Sequence, residues 1–352
     1  MRIGVPRELK SLEGRVGLTP AACAELVKHG HDVMLERQAG VKSGYQDRQF
    51  EEIGVTIGSS AAAVFKHAEM IVKVKEPIEP DLEHLTKEHL LFCFLHLAAL
   101  PELTSKLCDI GLTAVAFETV EDEFGRLPLL APMSDIAGRL SVQVGTHLLH
   151  QPQGGKGILL GGVPAAKRGK VVVLGAGVAG GNATVVAAGL GAEVTVFDKD
   201  RDKLVRMRQI GPNVTALYPH THDIAEAVRT ADILIGAVLI TGERAPHVVT
   251  EEMVRSMEPG SVIVDISVDQ GGCIATTRPT TYDNPTYIWE DVIHFTVTNM
   301  PGAVPRTSSQ ALSAAIAPYA ARLADGNWRG EPGLVRGINV EAGKVVHPAL
   351  CK

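Results

Sequence analysis

The chain is poor in cysteine: its 352 residues hold five, and none lies in a C-x-x-C pair. That scarcity argues against a disulfide framework and against a cysteine-built zinc site, and no metal is expected. Cys23, Cys93, Cys108, Cys273 and Cys351 are scattered, Cys93 in an apolar run and Cys108 near a helix end, and these two read as inert buried thiols. Cations are not in excess either. A net charge of −6 gives no electrostatic case for nucleic acid or an anionic membrane. The longest apolar stretch, residues 90–100, carries His96 and is too short to span a bilayer. No signal-peptide core precedes the strand-like Arg2-Ile3-Gly4-Val5, and no repeat or low-complexity tract is present. The expectation is a cytoplasmic protein whose partners are small molecules and other copies of itself.

What is present is an ordinary globular composition, 45% hydrophobic and 21% charged, on a chain too long for one typical core. Short apolar runs at 3–5, 33–36, 71–74, 90–95 and 113–117 read as strands, with a helical pattern over 21–29. The same rhythm returns with strands at 171–174, 193–197, 231–239 and 261–267 and helical connections at 225–230 and 251–257. Alternating strands and helices predict parallel sheets with crossovers on both faces. Met133, Ile136, Leu140, Val144 and Leu148 form the stripe of one amphipathic helix within 129–150, which joins the two halves. A second helix over 308–323 carries Leu312, Ile316, Tyr319 and Leu323, and Pro318 is expected to kink or interrupt it. The fold class is therefore α/β, two doubly wound Rossmann-like domains with a cleft between them. Residues 1–128 and 305–352 form a substrate domain, and 129–304 a nucleotide-binding domain.

The most specific signal lies in the second domain. The run 171–174 leads into Gly175-Ala176-Gly177-Val178-Ala179-Gly180, and the next strand ends on Asp198. A strand, a glycine turn, a helix and a strand closing on an acid form the dinucleotide fingerprint in its required context. Gly175 allows the tight turn, Gly177 lets backbone approach a pyrophosphate, and Gly180 lets helix pack on strand. Asp198 is placed to accept hydrogen bonds from a ribose 2′-hydroxyl and to repel a 2′-phosphate, so NAD is expected over NADP. Lys199 and Arg201 are the opposing signal, since nearby cations can hold a 2′-phosphate.

Ligands of open α/β sheets bind outside the carboxyl ends of strands. Arg15 in the loop 8–20, Lys75 after 71–74, His96 after 90–95 and Asp269 after 262–267 all stand there. Each has a structural alternative. Arg15 can be a solvated loop charge and His96 a satisfied structural histidine. Lys73 and Lys75 can line the solvent face of an edge strand, and Asp269 can cap the turn at Gly271-Gly272.

With their neighbours these residues resemble the alanine dehydrogenase and pyridine nucleotide transhydrogenase family. The matching segments begin with Gly4-Val5-Pro6-Arg7-Glu8, Arg15-Val16-Gly17-Leu18-Thr19-Pro20, Val72-Lys73-Val74-Lys75-Glu76-Pro77 and Leu95-His96-Leu97-Ala98. They run on through the glycine turn to Val268-Asp269-Gln270-Gly271-Gly272 and Asn299-Met300-Pro301, covering nearly the whole chain in order. The resemblance implies that Arg15 and Lys75 hold a substrate carboxylate and that His96 and Asp269 take part in acid–base chemistry. It further implies nicotinamide contacts at Ser134, Val238 and Leu239, Lys203 near the cofactor ribose, and Asn299 and Met300 closing the site. The implied reaction interconverts L-alanine, water and NAD with pyruvate, ammonium and NADH. The alternatives are a close amino-acid analogue as substrate, or a transhydrogenase-like NAD-binding component. A homo-oligomer is implied, a hexamer or, given a chain ending at Lys352, a dimer. Phe94 stands where relatives often carry tyrosine.

Overall fold

The computed structural model describes residues 1–238 and 245–351, which fall into two compact units. The first comprises Met1–Met133 with Gly302–Lys352, the second Ser134–Pro301. The division falls inside the helix Ala131–Leu148.

The first unit is built on an eight-stranded sheet. Arg2–Val5 (β1), Asp32–Glu36 (β2), Thr56–Gly58 (β3), Met70–Val72 (β4), Leu90–Cys93 (β5) and Thr113–Ala116 (β6) are parallel, in the order β6-β5-β4-β1-β2-β3. β4 and β5 are buried along their whole length, as apolar strands covered on both faces must be. The sequence alternative that places Lys73 at a solvent-facing edge fails for that reason. β4 lies inside the sheet, and the Lys73 side chain is 1% exposed.

The second unit holds seven strands: Lys170–Leu174 (β7), Glu193–Phe197 (β8), Val214–Leu217 (β9), Ile233–Gly236 (β10), Val262–Asp265 (β11), Thr286–Trp289 (β12) and Val292–Phe295 (β13). Their order is β12-β13-β11-β10-β7-β8-β9, parallel except for the β12–β13 hairpin. The strand order reverses between β7 and β10, the switch point at which such sheets open a crevice. Strand β10 ends at Gly236, earlier than the apolar run implies.

The last strands, Ile338–Glu341 (β14) and Lys344–Val345 (β15), return to the first unit, β14 pairing antiparallel with β6. Before them the helix Pro305–Ala324 passes through Pro318 without interruption. Proline removes one internal hydrogen bond there. Burial of Leu312, Ile316, Ala320 and Leu323 along one face outweighs that loss.

Cys23, Cys93 and Cys273 are buried, whereas Cys108 is half-buried and Cys351 exposed. Burial pushes the Cys23 thiol up to about 12 and raises Cys93 and Cys273 as well, so these three are inert.

Candidate functional site

In the second unit the turn after β7 has the three glycines its geometry demands. Gly175 adopts φ +97°, and a Cβ there would stand 2.5 Å from the Ala237 carbonyl oxygen beyond β10. A Cβ on Gly180 would lie 1.7 Å from the Gly175 oxygen, so only glycine lets the following helix close on the turn. Gly177 differs: no heavy atom lies within 4 Å of its missing Cβ. It is the N-cap of the helix Val178–Gly189 and offers no side chain to the first-turn N–H groups. An open backbone face beside uncapped N–H groups fits a pyrophosphate.

Asp198, just past β8, accepts from Ala176 N–H (2.7 Å) through Oδ2 and from Asp200 N–H (2.8 Å) through Oδ1. Lys203 Nζ stands 3.8 Å from the same carboxylate. The acid therefore fixes the glycine turn. Asp135 accepts from Asn182 Nδ2 (2.7 Å), and a Cβ on Gly138 would stand 2.1 Å from the Ala179 oxygen. The helix bearing Ser134 is thereby pinned to the glycine-turn helix.

On the other side of the turn, Val238 is tied by its carbonyl to Ser267 Oγ (2.7 Å). Leu239 lies outside the described residues. Asp269 is exposed on the short 3-10 turn Ile266–Gln270 that follows β11. Asn299 has a left-handed φ of 63°, and the Met300 carbonyl accepts from the Tyr282 hydroxyl (2.9 Å).

In the first unit Arg15, Lys75 and His96 stand on loops leaving β1, β4 and β5, neighbours in the sheet. Arg15 is no solvated charge. It is 2% exposed, and Glu13 accepts from its Nε (2.7 Å) and Nη2 (2.5 Å) as a fork, with Nη1 directed at Met133 Sδ (3.1 Å). The helix Pro305–Ala324 holds this loop: Ser309 Oγ accepts from Val16 N–H and Ser313 Oγ from Thr19 N–H, both at 2.9 Å.

Lys75 is half-buried, 3.7 Å from Glu76, which also pairs with Lys10. Burial pushes Glu76 up, but Lys75 and Lys10 together hold it below the usual carboxylate range. Glu8 accepts from Val74 N–H (2.6 Å), the peptide just before Lys75, and burial raises its pKa against the pull of Lys73. His96 adopts a left-handed conformation, φ 51° and ψ 35°, with Glu118 accepting from its N–H at 2.6 Å.

Glu8, Glu13, Glu118 and Asp265 escaped the sequence reading, although Glu8 and Glu118 stand past strand ends, Glu13 beside Arg15 and Asp265 at the last position of β11. Looking beyond strand ends for anchors as well as for reactive groups would have found Glu118, whereas Asp265 falls inside the apolar run 261–267.

Comparison with known proteins matches this chain to the families described as "Alanine dehydrogenase/PNT, N-terminal domain" over residues 4–137 and "Alanine dehydrogenase/PNT, C-terminal domain" over residues 141–348. Among curated relatives, an alanine dehydrogenase of Mycolicibacterium smegmatis is 46% identical over 100% of this chain and 96% of its own length. One of Geobacillus stearothermophilus is 47% identical over 99% and 95%. A solved L-alanine dehydrogenase superposes with TM-score 0.95 and 48% identity, covering 99% of this chain and 98% of that one. A transhydrogenase from Sinorhizobium meliloti gives TM-score 0.86 at 26% identity, covering 99% and 100%.

Proposed function

This chain belongs to the alanine dehydrogenase/PNT family, and from that premise we propose how its two units share the work of an NAD-dependent L-alanine dehydrogenase. The reaction takes L-alanine, water and oxidised NAD to pyruvate, ammonium, NADH and a proton, and it is reversible. When bound, NAD supplies the acceptor for the hydride that leaves the substrate Cα. The second unit is the NAD-binding domain: Gly175, Gly177, Val178, Ala179 and Gly180 cradle the pyrophosphate, and Asp198 and Lys203 face the ribose. Ser134, Val238, Asn299 and Met300 line the nicotinamide end.

The first unit is the substrate domain. Arg15 gives the substrate carboxylate a planar set of donors, and Lys75 adds a mobile point charge. Holding the carboxylate at two points fixes the direction of the Cα–H bond, so binding supplies orientation. His96 exchanges a proton with the oxygen that becomes the pyruvate carbonyl, and Asp269 orients the water that displaces ammonia.

The observation that carries this reading is the placement of Arg15, Lys75 and His96 beyond the carboxyl ends of neighbouring strands, on a chain 44–48% identical to alanine dehydrogenases over nearly its full length. The transhydrogenase reading fits less well, at 26% identity. Among the described residues no helix is long and apolar enough to cross a membrane. Mixing the protein with L-alanine and NAD and following NADH absorbance separates the two, since a transhydrogenase component yields no alanine-dependent NADH.

The same proposal includes a cytoplasmic homo-oligomer. Leu159, Val163 and Leu190 are exposed around Gly161, an apolar cluster that association would cover. Light scattering that gives a monomer mass across micromolar concentrations would refute assembly.

A further inference from the structure

Strand β11 ends on a buried acid. The Asp265 side chain accepts hydrogen bonds from Ser267 N–H (3.0 Å), Cys273 N–H (3.0 Å) and Thr277 Oγ (2.7 Å), all on the segment that follows it. Its oxygens are enclosed by bare glycine faces: a Cβ on Gly236 would stand 2.7 Å from Oδ1, and one on Gly272 2.8 Å from Oδ2. Gly271 and Gly272 both have positive φ, +92° and +75°, and turn the chain back so that Cys273 reaches the acid. The loop so closed carries Asp269 at its outer edge, and Ser267 Oγ ties it to the Val238 carbonyl. Burial raises the Asp265 pKa. A serine or asparagine would cap a surface turn with far less desolvation. A buried carboxylate with three donors fixes the loop in one geometry instead.

We propose that Asp265 is a positioning residue: by binding Ser267, Cys273 and Thr277 it sets the place of Asp269 relative to Val238. This rests on the reading of Asp269 as the group that orients water. Asp265 itself touches neither substrate nor cofactor, so its effect on turnover passes through Asp269.

The test is a double-mutant cycle in the full-length protein. Asp265→Asn keeps the shape but turns one acceptor into a donor, and should lower kcat for alanine oxidation by about 10²-fold, the penalty for roughly an ångström of misplacement. NADH affinity, followed by fluorescence, should be little changed. Thr277→Val removes one hydrogen bond to a charged group and should lower kcat by roughly tenfold. In an Asp269→Asn background neither change should lower kcat further, because the group being aimed is gone. If Asp265→Asn does not fold, Thr277→Val completes the cycle. Equal losses in both backgrounds would mean that Asp265 only supports the fold, and the positioning role falls. Parent-like turnover in Asp269→Asn alone overturns the reading of Asp269 and the positioning role with it.

Discussion

The rings of Phe94 and His96 lie parallel, 4° apart in plane with centroids 5.7 Å from each other. The phenyl ring is buried, and it stacks edge-to-face on Phe117 on its other contact. His96 occupies a left-handed backbone conformation that disfavours most side chains, at a cost of order 1–3 kcal/mol. The Glu118 carboxylate, which accepts from the His96 N–H, and the stacked Phe94 ring hold that conformation.

It follows that the flat face matters more than a hydroxyl. Phe94→Tyr should keep turnover, whereas Phe94→Leu, apolar but not flat, should lower kcat by up to about 10²-fold through loss of aim. Steady-state kinetics of pyruvate reduction on both variants checks this. Equal activity in Phe94→Leu would show that stacking does not position His96.

Asp198 carries a prediction about cofactor choice. Its carboxylate should give NAD a higher kcat/KM than NADP, by repulsion of a 2′-phosphate. Because Oδ2 also holds the Ala176 N–H, removing the acid should not simply convert the enzyme. Asp198→Ala is expected to weaken NAD binding while gaining little NADP activity. Efficient NADP use by that variant would show that the Ala176 bond is dispensable.

The parallel sheets, the joining helix and the glycine turn were legible because each leaves a periodic or punctuated trace: apolar runs buried on both faces, a three-and-four stripe, glycines at fixed spacing. Pro318 misled because a local rule says nothing of the burial that Leu312 and Ile316 gain across the helix. Arg15 left its environment unread for a similar reason. Charge in a polar loop suggests solvent, and only the fold brings Ser309 and Ser313, nearly three hundred residues on, over that loop. The strands β3, β9, β12 and β15 escaped because each has only two to four residues and is partly exposed, so none leaves a continuous apolar run.

The Glu13–Arg15 pair allows stability to be measured apart from the substrate binding proposed for Arg15. Removing one partner of a buried ion pair leaves an uncompensated charge and costs about 3–5 kcal/mol. Arg15→Ala should therefore lower both Tm and pyruvate kcat/KM, and a Glu13→Gln/Arg15→Met double variant should recover Tm without recovering activity. Lys75, half-buried and served by a glutamate that keeps Lys10, behaves differently. Lys75→Ala should impair pyruvate and alanine kinetics with little change in Tm or NADH fluorescence. Wild-type turnover in either single variant would remove that residue from the carboxylate site.

His294 gives the chain a pH-dependent stability. Its ring is buried on β13, between β11 and β12, with Nδ1 3.0 Å from the Val292 carbonyl and Nε2 2.8 Å from Thr276 Oγ. Burial lowers its pKa, opposed in part by the Val292 hydrogen bond. The folded value thus lies below the unfolded value of about 6.5. Above that pH neither state binds the proton and the contribution is fully present. As pH falls from about 6.5 toward the folded pKa, the unfolded chain takes up a proton first, and stability drops by at most about 1.4 kcal/mol per pH unit. His31 and His347, also lowered by burial, act in the same sense, while the raised carboxyls of Glu8 and Asp265 act in the opposite one. The informative quantity is therefore the difference between parent and His294→Gln, which cancels the other groups. The variant should unfold at lower denaturant than the parent at pH 8, and the gap should narrow as pH falls through 6 to 5. A gap that stays constant over that range would show that His294 does not titrate between the folded and unfolded states.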